Sequence, residues 1–114
     1  MSAIKALTQF DFYPRIEQTK GLSLIYFTAH FCSSCQHLSQ LLSQLAEKQK
    51  DVSVFQVDAQ QDQALVAEYE VFHLPAIFLF NNGQYHAQLH CEARIPSILE
   101  AINKASALPA EEAP

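Results

Sequence analysis

The residues in this sequence most suited to chemistry are two cysteines, Cys32 and Cys35, separated by Ser33 and Ser34 in "TAHFCSSCQHL". A cysteine thiolate is a nucleophile, and two thiols within reach of each other can form a disulfide. Thiolates also bind zinc, so half of a zinc site is one alternative to a redox pair. An inert pair of structural thiols is the other.

Two flanking elements position the pair. The segment 22–28, "LSLIYFT", is a nearly continuous apolar run, which predicts a strand buried on both faces. After the cysteines, leucines recur at the i, i+3, i+4, i+7 spacing of a helix that runs to about Lys50; they are Leu38, Leu41, Leu42 and Leu45. Cys32 is therefore expected where a strand ends and a helix begins, with Cys35 one turn inside the helix.

This placement predicts different tasks for the two thiols. The free N–H groups and the positive end of the helix stabilise a thiolate at Cys32. Cys35 is expected to be more buried and to keep its proton longer. Helical residues three apart have Cα atoms roughly 5–6 Å apart, a separation that a disulfide spans. An exposed nucleophile with a shielded partner suits two-step thiol–disulfide exchange.

The rest of the chain predicts alternating strands and helices. Strands are expected at 52–57, 76–80 and 84–90, with an edge strand at 3–7; helices are expected at 61–69 and from about 95 to 102, with a short one in 9–19. The sequence "NNG" at 81–83 is a strong hairpin signal between two strands. The prediction is an α/β domain over 1–106, with a mixed sheet between helices, followed by a flexible tail over 107–114.

Composition excludes several classes of function. A chain of 114 residues suits one domain, and its seven Lys and Arg residues are scattered, so we expect no nucleic-acid binding. No apolar stretch is long enough for a membrane helix, and "MSAIKALTQF" lacks the features of a secretory signal. We therefore expect a cytosolic monomer. No second CxxC or paired His motif is present, so neither a metal nor a cofactor is predicted.

A second signal lies in "VFHLPAIFLF" (71–80). A proline that directly precedes a buried strand is a plausible position for a cis peptide bond, here between Leu74 and Pro75. Such a bond would leave the backbone of Leu74 free to bind an extended peptide as an added strand.

Together these motifs resemble the thioredoxin family from about residue 3 to residue 105. The matching segments are "LIYFTAHFCSSC", "FQVDA", "HLP" and "FNNGQ". The resemblance implies the thioredoxin fold, a central mixed sheet of four to five strands flanked by about four helices. It also implies a protein disulfide oxidoreductase in which Cys32 attacks a substrate disulfide and Cys35 resolves the mixed disulfide.

The resemblance further implies how substrates bind and how the oxidised pair is reduced again. Phe31 and Leu74 would form an apolar docking surface around Pro75. The partners would be disulfide-containing proteins and an electron donor such as a thioredoxin reductase, with exchange in the reducing direction. The alternative is a binding module of the same fold whose disulfide is regulatory or structural, with little turnover.

Several positions depart from the family pattern. Tyr26 stands where thioredoxins commonly place a buried aspartate, and Gln56 where its lysine partner often lies. A phenol is a poor base at pH 7, so we expect slower resolution by Cys35 than in a relative with the aspartate. Ser33 and Ser34 replace Gly-Pro, and hydroxyls near a Cys32 thiolate would favour the reduced pair. We therefore expect a redox potential less reducing than the roughly −270 mV of thioredoxin.

The remaining candidates are one cysteine and three histidines. His30 and His73 flank the site by analogy and would favour the Cys32 thiolate if protonated, although the alternative that we favour for each is a solvated loop residue. His37 is expected to point elsewhere on the helix. Cys91 follows the last strand near Pro75, where it either bears on substrates or is a small buried hydrophobe.

Overall fold

The computed structural model describes residues 4–114 and contains five strands and four helices in these residues. The strands are β1 (Ile4–Leu7), β2 (Leu22–Thr28), β3 (Val52–Asp58), β4 (Ala76–Asn81) and β5 (Gln84–Leu89); the helices are α1 (Phe12–Glu17), α2 (Ser33–Lys48), α3 (Gln63–Glu68) and α4 (Ile95–Ala107). Every predicted element is present, with ends that differ by a few residues. Residue 3, the predicted start of the edge strand, lies outside the described residues.

The sheet is mixed, with strand order β1-β3-β2-β4-β5. β3 pairs in parallel with β1 and β2, whereas β4 is antiparallel to β2 and β5. The parallel β2–α2–β3 connection is the predicted βαβ unit. The α/β thioredoxin fold expected from the sequence is confirmed, and the sheet has five strands in the part of the chain described.

Alternation along β2 sends side chains to two separate cores. Leu24 and Tyr26 point to the face covered by α2 and α4, whereas Ile25 and Phe27 point to an aromatic-rich core under α1 and α3. All four side chains are almost completely buried. β2 is therefore a rigid support whose end leads directly into the cysteine pair.

The predicted hairpin turn needs its glycine. Asn82 and Gly83 both have positive φ angles, 51° and 80°, as in the type I′ turn favoured between antiparallel strands. A Cβ atom on Gly83 would lie 2.9 Å from the carbonyl oxygen of Ile16. The turn thus keeps β4 and β5 in register, with one irregularity between Leu79 and Phe80.

α4 has Pro96 in its first turn and continues to Ala107, the first residue of the predicted tail. Beyond it, the backbone N–H of Glu111 donates a hydrogen bond of 2.7 Å to the carbonyl of His86 in β5. No helix within residues 4–114 is long and apolar enough to cross a membrane.

Candidate active site

Cys32 is the N-cap of α2. Its backbone is extended (φ −97°, ψ 104°), and its sulfur accepts a hydrogen bond of 3.2 Å from the backbone N–H of Cys35. Its own N–H donates to the carbonyl of Ala29 at 3.2 Å, which closes the turn that leads from β2. One of the free N–H groups at the start of the helix is therefore directed at the sulfur, as the sequence predicted.

The two cysteine sulfurs are in bonding contact as a disulfide, and their Cα atoms are 5.2 Å apart. Cys35 is fully buried beneath the first turn of α2, whereas Cys32 is partly exposed. The predicted difference in access between the two thiols is thus present in the structure.

The residues around the pair contribute unequally. Both serines are exposed, and the hydroxyl of Ser34 lies 3.3 Å from the Cys32 sulfur, whereas that of Ser33 makes no described contact with it. The side-chain amide of Gln36 donates a 3.0 Å hydrogen bond to the carbonyl of His30, which ties the loop before the pair to α2. The sequence reasoning missed Gln36, although its position one turn after Cys32 was a signal.

Leu74–Pro75 is a cis peptide bond, as predicted. Pro75 lines a groove of about 680 Å³ that brings together parts of the chain distant in sequence; its lining includes Ser34, His37, Phe72, His73, His90 and Cys91. His37, which we expected to point away, therefore lies on this groove. Leu74 packs against the aromatic-rich core and is partly buried.

Two phenylalanines near the site are exposed: one directly precedes the pair in sequence, and the other lines the groove. Phe31 directly precedes Cys32 and is 75% exposed. Phe72 lines the groove and is 82% exposed, although the sequence reasoning did not single it out. Exposed aromatic side chains of this size can supply apolar contacts to another molecule.

Tyr26 lies in a neutral hydrogen-bonded group below α2. Its hydroxyl donates to the side-chain carbonyl of Gln56 at 2.8 Å and lies 2.9 Å from the hydroxyl of Ser39. Burial raises the pKa of Tyr26, and the hydrogen bond with Ser39 opposes that change. The uncharged interior predicted from Tyr26 and Gln56 is present, and Ser39 is a third member that the sequence reasoning missed.

The two histidines proposed as modulators occupy different surroundings. His30 is 92% exposed, and its Nε2 lies 3.9 Å from a carboxylate oxygen of Asp58 at the end of β3. Within residues 4–114, the ion-pair contact described for His30 is thus with Asp58 and not with a cysteine. His73 is exposed on the groove beside Pro75.

Cys91 is partly buried, lines the groove and packs against the core under α2 and α4. Burial raises the pKa of its thiol. Cys91 thus packs against the core as a small apolar residue, which is one of its two predicted characters, and it also borders the groove.

The zinc alternative lacks a set of ligands in the part of the chain that is described. Within residues 4–114, no three His, Cys, Asp or Glu side chains are grouped so that they could hold a metal ion. Structural zinc sites need four ligands, and the pair supplies two.

A cysteine pair at the start of a helix, beside a cis-proline and at the end of a central strand, defines a class of thiol–disulfide exchange proteins. Comparison with known proteins identifies the family. The family model Thioredoxin matches residues 3–104. Thioredoxin of Staphylococcus aureus strain Mu50 is 29% identical over 83 residues, which are 72% of this chain and 78% of that protein.

Two solved structures share the fold. Thioredoxin f2 of Chlamydomonas reinhardtii superposes with a TM-score of 0.79 at 21% identity, covering 89% of this chain and 94% of that one. Oxidised mitochondrial thioredoxin 3 of Saccharomyces cerevisiae gives 0.78 at 24% identity, covering 90% and 95%. The chain belongs to the thioredoxin family and is a protein-disulfide oxidoreductase. Members of this family act on disulfide substrates and are themselves reduced by a reductase.

Proposed function

We propose that Cys32 and Cys35 are the redox centre and that the protein reduces disulfides in other proteins. The Cys32 thiolate attacks one sulfur of a substrate disulfide and expels the other as a thiolate. The Cys35 thiolate then attacks the Cys32 sulfur, breaks the mixed disulfide and releases the second substrate thiolate. Two electrons pass to the substrate, two protons are taken up by its thiolates, and the pair ends as a disulfide.

The observation that supports this division of labour most strongly is the environment of the Cys32 sulfur. It is partly exposed and accepts the N–H of Cys35 at the start of α2, with the hydroxyl of Ser34 at 3.3 Å. Donors directed at a sulfur stabilise its anion. Cys35 is fully buried, so a substrate disulfide reaches Cys32 first.

The groove next to the pair is our candidate for the docking surface. Within residues 4–114 the backbone N–H and C=O of Leu74 make no hydrogen bond, so they are available to an extended substrate segment. Phe31 and Phe72 offer apolar contacts, and Pro75 and Cys91 line the groove near the start of β4 and the end of β5. We infer that substrates present an extended segment with an apolar side chain next to their disulfide.

The reducing direction is proposed from the family to which the chain belongs, whereas the hydroxyl of Ser34 bears on the redox potential. A donor that stabilises the Cys32 thiolate favours the reduced pair, so a potential less reducing than about −270 mV is expected. Equilibration with glutathione measures this potential, and a value at or below that of thioredoxin contradicts a stabilising role for this hydroxyl. A Ser34→Ala variant with Ser33→Ala as its matched control tests the cause, because the exposed Ser33 hydroxyl makes no described contact with the sulfur.

Turnover is tested by reduction of a disulfide-containing protein in the presence of dithiothreitol, with Cys32→Ser as the control. We expect the wild type to accelerate the reduction and the variant to match the uncatalysed rate. Equal rates would instead favour the alternative of a binding module with a regulatory disulfide. The one feature favouring that alternative is the neutral Tyr26 where a base is common.

The electron donor and the cellular location remain predictions. A reductase of the thioredoxin reductase kind is the expected donor, because family members are reduced by such an enzyme. The cytosolic location and the monomeric state stay as predicted from the sequence.

A further inference from the structure

β5 lies at one edge of the sheet, where an outer row of backbone groups has no neighbouring strand. Residues 108–114, here called the strap, lie beside this edge. The N–H of Glu111 donates a 2.7 Å hydrogen bond to the carbonyl of His86. The strap thus makes one contact of the kind that an added strand would make.

The strap runs along the edge of β5 towards the cysteine pair. Leu108 and Pro109 border a cleft with residues 87–89 of β5 and His90, and Pro114 lines the active-site groove together with His90 and Cys91. The end of β5 lies at the groove because Leu89 pairs with Ile77, two residues after Pro75. The strap therefore connects the end of α4 to the groove.

His86 anchors both the strap and the helix that precedes it. Its side chain is 8% exposed, and Nε2 lies 2.6 Å from the carbonyl oxygen of Ala105 in the last turn of α4. The strap leaves α4 at Leu108, directly after this contact. Burial, and after it the charge of Glu111, raises the pKa of Tyr85.

The strap is held weakly. All of its residues are exposed, and its described hydrogen bond to the sheet is the one from Glu111 to His86. A single hydrogen bond of this kind changes a population only several-fold. A competing segment that supplies its own backbone donor would therefore displace the strap readily.

We propose that the outer edge of β5 and the adjoining end of the groove bind an extended peptide segment, and that the strap is its intramolecular occupant. A protein substrate that docks across this edge would have to displace the strap, whereas a small disulfide that needs only the Cys32 sulfur would not. The proposed competition with substrates rests on the function proposed above. The proposed occupation of the β5 edge by the strap does not depend on that function.

The test uses three variants of the full chain. Glu111→Pro removes both the N–H that binds His86 and one carboxylate. Glu111→Ala removes the carboxylate alone. Glu112→Pro is the matched control, because it introduces the same ring and removes one carboxylate but keeps the N–H of Glu111.

Two readouts are compared across these variants. The first is the amide NMR shifts of residues 86–91, which should move in Glu111→Pro and stay close to the wild type in Glu112→Pro. The second is kcat/KM for a protein disulfide and for a small aromatic disulfide. We expect Glu111→Pro to raise kcat/KM for the protein disulfide about two- to tenfold, the factor of one hydrogen bond, with the small disulfide unchanged.

Each outcome decides a different part of the proposal. Unmoved amide shifts in Glu111→Pro would overturn the occupancy of the edge. Moved shifts with an unchanged kcat/KM for the protein disulfide would overturn the competition with substrates. If the wild type reduced neither disulfide, the proposed function and the competition would both fail, and the amide shifts would still decide the occupancy.

Discussion

Cys32 and Cys91 are thiol positions beside the same cis-proline, and their surroundings are opposite. Cys32 caps α2, where its sulfur accepts a backbone N–H and lies against the hydroxyl of Ser34. Cys91 lies two residues after β5, and within residues 4–114 its sulfur has no described hydrogen-bond donor. Burial without such a donor raises the pKa of Cys91.

The comparison shows that closeness to the groove does not make a cysteine reactive. A thiolate needs hydrogen-bond donors. The start of a helix supplies them, because its first N–H groups lack partners within the helix. Cys91 meets packed apolar side chains instead, which disfavour the anion. The predictions below test this difference from the largest effect to the smallest.

Replacement of the nucleophile should have the largest effect. We expect Cys32→Ser to lower kcat/KM for a protein disulfide by on the order of 10³-fold or more, because the covalent step is lost. Cys91→Ser is the matched control and should stay within about twofold of the wild type, since burial raises the pKa of its thiol and so lowers its thiolate fraction. A comparable loss in Cys91→Ser would erase the distinction between the two thiols.

Replacement of Cys35 tests whether Cys91 can take its place. Without the resolving thiol, the mixed disulfide on Cys32 should accumulate in Cys35→Ser and be visible by mass spectrometry as a covalent adduct. The double variant with Cys91→Ser should trap the same amount. If the single variant turned over and the double variant did not, Cys91 would be a second resolving thiol.

The features of this site that could be predicted are those that depend on local spacing. The apolar run of β2, the leucine spacing of α2 and the proline before β4 placed Cys32, Cys35 and Pro75 correctly. These relations arise within one element or at its junction with the next. Helix and strand periods therefore determine them.

The features that were missed depend on side chains that meet across elements. Ser39 joins Tyr26 and Gln56 from α2, and Phe72 and His37 reach the groove from separate parts of the chain. A helical wheel correctly places His37 in a different direction from Cys32 around the axis of α2. It did not show that the groove extends around that side of α2, because β5 forms its far wall.

Alkylation measures the contrast between the two thiols directly. In the reduced protein at pH 7, iodoacetamide should modify Cys32 about tenfold or more faster than Cys91, because the donors around Cys32 raise its thiolate fraction. In the oxidised protein only Cys91 is free among the described cysteines. Its alkylation rate should rise with pH, with a midpoint above that of free cysteine. Unfolding in urea should return the midpoint to the ordinary value, since burial is the cause. If unfolding left the midpoint of the alkylation rate unchanged, burial would not be the cause of the raised pKa.

The smallest expected effect concerns Tyr26, which lies behind the reactive pair. Its hydroxyl is engaged by Gln56 and Ser39, and burial raises its pKa, so it is neutral and not available as a base. We therefore expect Tyr26→Phe to leave the rate of mixed-disulfide resolution within about twofold. The same change should lower the free energy of unfolding by about 1 kcal/mol, because it removes the hydrogen bonds to two partly buried partners, Gln56 and Ser39.

Tyr26→Asp is the informative partner of that variant. A carboxylate at this position should raise the rate of resolution several-fold by assisting deprotonation of Cys35. Stopped-flow measurement of mixed-disulfide decay gives the rate, and circular dichroism shows whether the variant is folded. A folded Tyr26→Asp protein with an unchanged rate would mean that the phenol does not limit resolution. The reactivity of the pair would then be set by the start of α2 alone, which is the stronger form of the contrast with Cys91.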